Sequence, residues 1–501
     1  MSATISKSEF IAGVQCLKRL YLQVHQPELA SQSDAADQVI IEQGREVGLL
    51  ARQLFPGGVE VNASRGLDEQ IRATRELVAN REIPAIFEGA FEHQGVIVKT
   101  DIVQRRRENH WRLVEVKSTA DLRDQHLEDV AIQSYVLSGT GLKLASVWLA
   151  HINREYVFTG TTVDPHQFFL FRNLTNRAKN LQPELVLRLR SQFRILAMPT
   201  SPDTPTGPHC INPVVCEFFH HCNQPLPDDH IGYLPRLHAS AMEQLEELGV
   251  ESIHKIPDDF ELSEFQRRVC TAMQTGQPWF SADLKAEFEA LKYPVYFMDF
   301  ETVNPAIPRF VGMHPYDHIP FQFSVHVQQE PDAAPSHFEF LAMDNADPRP
   351  AFISSLYETL GESGSIVVYN EQFESQRLWE LAGWLPEYNQ RIRDIQSRLW
   401  DLLPVIRNHV YHPAFGDSFS LKAVLPALVP EMTYEGMEVP NGQAAGLAWE
   451  AIIGGNGTES ERRSKRQALL DYCGQDTLAL VKLVETLRSL SAKSSGKEPL
   501  I

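Results

Sequence analysis

Tyr293-Pro-Val-Tyr-Phe-Met-Asp-Phe-Glu301 is the stretch on which the reading of this chain turns. Apolar side chains fill Val295 to Met298, and the run ends in two acids one residue apart. A strand sends alternate side chains to opposite faces, so Asp299 and Glu301 are predicted to project together while Phe300 turns away. Two carboxylates at the end of a buried strand are costly to desolvate unless a cation neutralises them, and a divalent metal is the usual partner. One acid alone would be an ordinary solvated strand end; a series of further acids downstream argues for a site.

Toward the C-terminus, PFQFSVHVQQ (320–329) and HFEFLAM (337–343) read as the next strands, PRPAFISSLYETLG (348–361) as a helix, and SIVVYN (365–370) as a short apolar strand. A helix is predicted immediately after it, with Asn370 as its cap and Glu374 on its first turn, where the helix dipole favours a carboxylate. LLDYCGQDTLALVKLVETL (469–487) has helical period, which stacks Tyr472 and Asp476 on one face. Asp476 is expected to share a cation with Asp299, and Tyr472 to position an attacking water. Mixed strands and helices in this order predict an α/β core with a helix-covered sheet.

These segments resemble the DnaQ-like (DEDD) exonucleases of the RNase H-like fold, which carry Asp-x-Glu, then Asn-x-x-Phe-Asp, then Tyr-x-x-x-Asp. Here DFE (299–301), NEQFE (370–374) and YCGQD (472–476) stand in that order, with WDLLPVIR (400–407) and SFSLKAVLP (418–426) as further agreement. The late tyrosine is that of the tyrosine subgroup; the departure is Glu374 where the family has Asp. The resemblance covers about 293–490. It implies two-metal phosphodiester hydrolysis with Mg²⁺ or Mn²⁺, the cations roughly 4 Å apart. Asp299, Glu301 and Asp476 are the implied ligands, Glu374 completes the cage, and Tyr472 orients water. A 3′–5′ exonuclease acting on single-stranded DNA is the implied activity, with RNA as the alternative.

Upstream, PAIFEGAFEHQG (84–95), VIVKTDIVQ (96–104) and HWRLVEVKS (110–118) read as consecutive strands separated by His93-Gln94-Gly95 and Glu108-Asn109 turns. Asp101 ends one strand, and Glu115 and Lys117 share a face of the next. Two carboxylates can hold a cation while Lys117 stabilises charge on phosphate; an edge strand with a Glu and a Lys for solubility is the competing reading. Gln133 and Tyr135 follow on a helix from about Leu127. Cysteines cluster at Cys210, Cys216 and Cys222, with Cys16 far upstream. This half resembles the RecB-like branch of the PD-(D/E)XK nucleases, in which one early and three late cysteines hold a [4Fe–4S] cluster; Cys16, Cys210, Cys216 and Cys222 fit that plan. Zinc is the alternative metal and free thiols the third reading. The Cys-x5-Cys-x5-Cys spacing, the close Gln–Tyr pair and Gly48 in place of the family's early His depart from the pattern; Glu46 is a candidate substitute for that His.

Length and composition frame both halves. The 501 residues exceed one ordinary core, and four parts are expected: 1–224, a RecB-like PD-(D/E)XK domain; 225–290, a helical connector; 291–490, an RNase H-like domain; and 491–501, a tail. A composition of 43% hydrophobic and 22% charged residues fits folded protein. A net charge of −19 excludes a protein that coats nucleic acid by bulk electrostatics, but not a nuclease that gathers carboxylates for metal. Six cysteines are too few for a disulfide scaffold, and no apolar run suggests a membrane span or a signal peptide, so a cytoplasmic location is expected. Taken whole, the chain resembles a bacterial family joining a RecB-like half to a DnaQ-like half, which implies DNA repair or defence and a helicase or repair partner. Two further readings compete: a front half that only clamps DNA, and a non-catalytic nucleic-acid adaptor.

Overall fold

The computed structural model describes residues 4–32, 35–223, 227 and 229–494. The protein is mixed α/β and divides into two compact units: Met1–Gln224 with Pro305–Asp317, and Pro225–Asn304 with His318–Ile501. Of the expected tail, residues 495–501 lie outside the described residues. No helix among the described residues is long and apolar enough to cross a membrane.

In the first unit, β1 (Ile5–Ser6), β2 (Val59–Glu60), β3 (Ala85–His93), β4 (Val96–Arg105), β5 (His110–Lys117), β6 (Lys143–Ile152) and β7 (Phe169–Asn173) form one seven-stranded sheet, in the order β2-β3-β4-β5-β6-β7 with β1 paired to β4. The β3–β4 hairpin turns at Gln94-Gly95, both at positive φ, the backbone that two-residue hairpins need. β5 and β6 run parallel, connected through the helix Asp124–Gly139. The apolar pattern around Phe10 to Leu22 reads in the sequence as one helix, but the structure has two: α1 (Lys7–Gln15), capped by a reciprocal Ser6–Glu9 box, and α2 (Leu17–His25), separated where Cys16 adopts an extended backbone. α3 (Ala35–Arg52), α4 (Leu67–Ala79), α5 (Asp124–Gly139) and α6 (Thr175–Leu196) complete the unit. Trp111, Leu113, Val130, Ile132 and Leu149 form its core between sheet and helices. Residues 305–317 join this unit: Phe158 N–H donates to the Met313 carbonyl at 2.9 Å, and Ala306 packs with Tyr156 and Phe168.

The second unit begins with the stretch expected as a connector, which contributes α7 (Glu264–Thr275) and β8 (Trp279–Phe280). Ile231, Leu245, Val269 and Leu284 share one core with Val295, Phe297, Val367 and Leu480, so this stretch is part of the second unit's own packing. The central sheet holds β9 (Val295–Val303), β10 (Ile319–Gln328), β11 (Ser336–Leu341), β12 (Ser365–Val368) and β13 (Leu399–Asp401), in the order β11-β10-β9-β12-β13. β10 is antiparallel to both neighbours, whereas β12 is parallel to β9 and β13. β14 (Val410–Tyr411) pairs with β8. Helices that frame this sheet include α8 (Arg349–Leu360), α9 (Glu371–Trp384), α10 (Leu402–His409), α11 (Leu421–Leu428), α12 (Gly442–Ile453) and the long α13 (Glu459–Ser494).

Strand alternation places the chemistry. On one face Phe300 meets Phe352 and Phe373 in a dry layer. The other face lies under α13: Gln322 donates to the Leu469 carbonyl at 2.7 Å, and Ser324 and Thr477 hydroxyls meet at 2.7 Å. Ser324 is the cross-strand neighbour of Asp299, and Gln322 that of Glu301. The acids of β9 therefore share a face with side chains that contact α13.

Candidate active site

Asp299 and Glu301 on β9 and Asp476 on α13 each present a carboxylate oxygen within 4.8 Å of the other two. Among the described residues they form the one group of three or more His, Cys, Asp or Glu side chains this close. At that separation each pair of ionised acids repels by roughly 3 kcal/mol, at an effective dielectric of about 20. Burial raises the Asp299 pKa well above the ordinary carboxylate range, and Asp476, Glu301 and Glu374 push it further. Burial and then Asp476 carry Glu301 to about 8, with Lys422 opposing. Asp476 rises only to about 6, since burial is countered by hydrogen bonds from Tyr434 and Tyr472 and by Lys422. Such a set accepts either protons or a cation.

Glu374 sits in the first turn of α9, 3% exposed, and lies outside the tight group of three. It is near enough to contribute to the upward shift of Asp299, and burial carries its own pKa to about 8. Its Oε2 is buried with no hydrogen-bond partner among the described residues. A carboxylate oxygen held dry and unpartnered is a cost that a cation would remove.

Sequence reasoning assigned the cap of α9 to Asn370. Asn370 stands at that position with φ 80, but its side chain makes no capping bond. Asp401, at the end of β13, accepts from the Asn370 and Glu371 backbone N–H groups at 2.9 and 3.0 Å, and from Leu403 N–H at 3.0 Å. Asp401 thus caps α10 and orders the turn that delivers Glu374. WDLLPVIR contained this acid, but nothing local showed that it reaches back across the sheet.

Tyr472 is 6% exposed, and its hydroxyl is among the groups that hold the Asp476 pKa down. A second phenol, Tyr434, donates to Asp476 Oδ1 at 2.5 Å. Burial, then the Asp476 charge, raise both phenols far above their ordinary range, so both remain protonated donors. The Lys422 ammonium stands 5.6 Å from the Tyr434 ring and 5.8 Å from that of Tyr472. Gly442 keeps space beside Glu301: a Cβ there would lie 3.0 Å from Glu301 Oε2. Sequence reasoning missed Tyr434 and Gly442, and it quoted Lys422 within SFSLKAVLP without giving that side chain a role. Only the folding of 418–442 against α13 brings the three to the acids.

The first unit gathers a different set. Glu115 is 1% exposed, and its Oε1 accepts from Lys7 at 2.8 Å and stands 3.0 Å from Lys117, while Oε2 accepts from Gln133 at 2.6 Å. Lys117 also pairs with Asp129 at 2.5 Å. Burial alone would raise Glu115, but Lys7 and Lys117 overcome it and hold this carboxyl well below the usual range. Asp101 accepts from Val116 N–H at 2.6 Å; burial and then Glu115 raise its pKa to about 7, with both lysines opposing. Asp101, Glu115, Lys117 and Gln133 are therefore neighbours. Tyr135 instead donates to Gln94 at 2.8 Å, and Glu46 is exposed on α3. Lys7 was not anticipated. Its signal was the Ser-Lys-Ser-Glu start of α1, where the capping box fixes the helix end from which Lys7 reaches Glu115.

Cys16, Cys210, Cys216 and Cys222 carry free thiols and line one cavity. Burial raises the Cys216 and Cys222 thiols, and neighbouring thiols add to it.

Residues 296–420 match the model of a domain of unknown function, DUF2779, a span that holds Asp299, Glu301, Glu374 and Asp401 but stops before α13. The chain is similar to the uncharacterized protein MG366 homolog of Mycoplasma pneumoniae, with 27% identity over 218 residues, 40% of this chain and 33% of that protein. It is similar to the uncharacterized protein MG366 of Mycoplasma genitalium, with 24% identity over 233 residues, 42% of this chain and 34% of that one. The matched stretch thus spans about a third of these relatives' own length. Among solved structures, the crystal structure of SSO0001 aligns with 40% of this chain and 89% of its own at 13% identity and a TM-score of 0.20, too low to assign a fold.

Proposed function

We propose that this chain is a metal-dependent nuclease whose second unit is an RNase H-like 3′–5′ exonuclease of the DEDD type, acting on single-stranded DNA. The observation that carries the reading is the meeting of Asp299 and Glu301 with Asp476, which is distant in sequence, within 4.8 Å, with the unpartnered Glu374 carboxylate close enough to raise Asp299. Hard oxygen donors of this kind suit Mg²⁺ or Mn²⁺. Bound divalent cations would supply charge stabilisation at the attacking and leaving oxygens of a phosphodiester. Asp299, Glu301 and Asp476 would hold such ions, and Glu374 would add a fourth carboxylate nearby. Tyr434, donating its one hydroxyl proton to Asp476, would orient that carboxylate, and Tyr472 beside it would position a water.

The first unit supports a PD-(D/E)XK reading through Asp101, Glu115, Lys117 and Gln133. One observation favours its acting as a DNA clamp: both oxygens of Glu115 are already engaged by Lys7, Lys117 and Gln133. Its four cysteines, which line one cavity, are proposed to hold a [4Fe–4S] cluster, with zinc as the alternative. Iron content and a brown colour in anaerobically purified protein test that assignment.

The deciding experiment uses end-labelled DNA and RNA with and without Mn²⁺, comparing the intact chain with Asp299→Ala and Lys117→Ala. Metal-dependent shortening from the 3′ end, lost in Asp299→Ala, is the expected result, and full activity in that variant overturns the proposal. Retention of all cleavage by Lys117→Ala supports the clamp; loss makes the first unit a second nuclease.

A further inference from the structure

A cleft of about 880 Å³ opens within the second unit, away from the four acids, between the segment around Arg236, α7, α10 and the approach to α11. Its lining includes three guanidinium groups, Arg236, Arg268 and Arg407, against one carboxylate, Asp417. In a chain with 65 acidic and 46 basic residues this is a local inversion of charge. None of the three arginines is ion-paired among the described residues. Arg268 bonds the Asn408 carbonyl, and its Nε is buried with no partner. Arg236 and Arg268 each stand 5.5 Å from the Phe265 ring, and Phe419 lines the same cleft.

We propose that this cleft is a binding groove for a single strand of nucleic acid, leading it to the acidic centre. Guanidinium groups without carboxylate partners match phosphodiester oxygens in a fork geometry that lysine lacks. Aromatic rings between them offer a face to an unstacked base, which duplexes do not present. A strongly acidic chain repels a polyanion except where cations are concentrated, so a local basic groove is the entry such a substrate needs.

Continuity favours a strand over an acidic peptide. Phe419 lines the cleft, its carbonyl accepts from the Tyr369 hydroxyl at 2.6 Å, and three residues later Lys422 stands over the Tyr434 and Tyr472 rings beside Asp476. Three residues of chain reach at most roughly 11 Å, so a few nucleotides span from groove to acids. The groove's purpose rests on the nuclease reading; its affinity for a strand does not.

The test is fluorescence anisotropy of labelled oligo-dT and oligo-U of about 20 nucleotides with the full chain in EDTA, across a salt series. Arg236 and Arg407 are both exposed, so the double variant Arg236→Ala/Arg407→Ala is expected to keep its melting temperature. It is expected to bind at least tenfold more weakly, with a salt slope reduced by about 1.4, two contacts at about 0.7 each. Arg463→Ala, an exposed arginine on α13, serves as the control and stays within twofold. Affinity and slope within twofold of the unaltered chain in the double variant overturn the groove. So does equal binding of a dinucleotide, which would make the cleft a nucleotide pocket, or equal competition by polyglutamate, which would make it a peptide site. If the unaltered chain cleaves nothing in Mn²⁺ while the double variant still loses binding, the hydrolase reading falls and the groove stands. If it cleaves while the double variant binds normally, the groove alone falls.

Discussion

The two acidic centres of this chain solve the same electrostatic problem in opposite ways. In the first unit Glu115 is buried beside Asp101, and the chain supplies its own cations: Lys7 and Lys117 bind one oxygen of Glu115, and Gln133 takes the other. In the second unit four carboxylates converge, and Lys422 is the cation that opposes their shifts at Glu301 and Asp476. The first centre is near charge balance as it stands; the second is left with surplus negative charge that only protons or metal relieve. Proximity of acids alone therefore does not mark a metal site. What separates the two is whether the oxygens are already spoken for, and Glu374 Oε2 is the clearest case of one that is not.

The largest effect should appear where that surplus is removed. Asp299→Ala is expected to cut Mn²⁺-dependent cleavage of single-stranded DNA by 10³-fold or more, about 4 kcal/mol of transition-state stabilisation. It should also abolish the rise in melting temperature that Mn²⁺ gives the unaltered chain; for a site at about 100 times its dissociation constant that rise reflects about 2.7 kcal/mol. Calorimetry with Mn²⁺ reads both the affinity and the stability change, and an unaltered Mn²⁺ response would place the metal elsewhere.

The first centre should respond as a structural ion pair. Lys7→Met leaves Glu115 with Lys117 and Gln133 but removes one charge-assisted bond from a carboxylate 1% exposed. The expected loss is about 2 kcal/mol of stability, read as a lower denaturation midpoint with Mn²⁺ absent. No change in midpoint would mean that the self-neutralised description of this centre is mistaken.

A pH titration sharpens the contrast. Glu301 and Glu374 are raised to about 8 in the folded chain, so they favour folding while protonated. That contribution is complete below about 4.5, their unfolded value, and is lost as pH rises through about 8. Glu115 is depressed, so its contribution has the opposite sign: present above about 4.5 and lost on further acidification. The metal-free chain is expected to melt several degrees lower at pH 8 than at pH 6, with Mn²⁺ cancelling the difference. A flat profile in EDTA would show that the four acids of the second unit are solvated rather than dry.

Much of this arrangement was legible in the chain. Alternation in β9 put Asp299 and Glu301 on one face, and helical period put Tyr472 and Asp476 on another, because each rule depends only on local geometry. Gln133 entered only through the resemblance to RecB-like nucleases, and no local rule placed it against Glu115. What local geometry does not encode stayed hidden. Lys7 reaches Glu115 across 108 residues, and Tyr434 reaches Asp476 from a loop whose path depends on packing against α13. The break at Cys16 was missed because the apolar pattern of Phe10 to Leu22 continues through it, while the backbone there turns extended. The stretch 225–290 read as a separate connector because its helices are short; Val269 and Leu284 show that its apolar faces complete the second unit's core.

The smallest expected effect is the most discriminating for the second centre. Glu374 stands where the DEDD pattern carries aspartate, and it lies just outside the tight group of Asp299, Glu301 and Asp476. Glu374→Asp keeps the charge and retracts the oxygens by about one carbon–carbon bond, roughly 1.5 Å. If Glu374 acts mainly by adding negative charge near Asp299, the retraction matters little, because Coulomb interactions fall gently over that distance. Cleavage at saturating Mn²⁺ should then stay within about tenfold of the unaltered chain, at most about 1.4 kcal/mol. If its Oε2 instead contacts an ion directly, the shorter side chain breaks that contact, and the loss should approach that of Asp299→Ala. The ratio of the two rates thus measures whether the buried, unpartnered oxygen is a ligand in waiting or only part of the surrounding field, and Glu374→Gln, which keeps the reach and removes the charge, should show the reverse order in the second case.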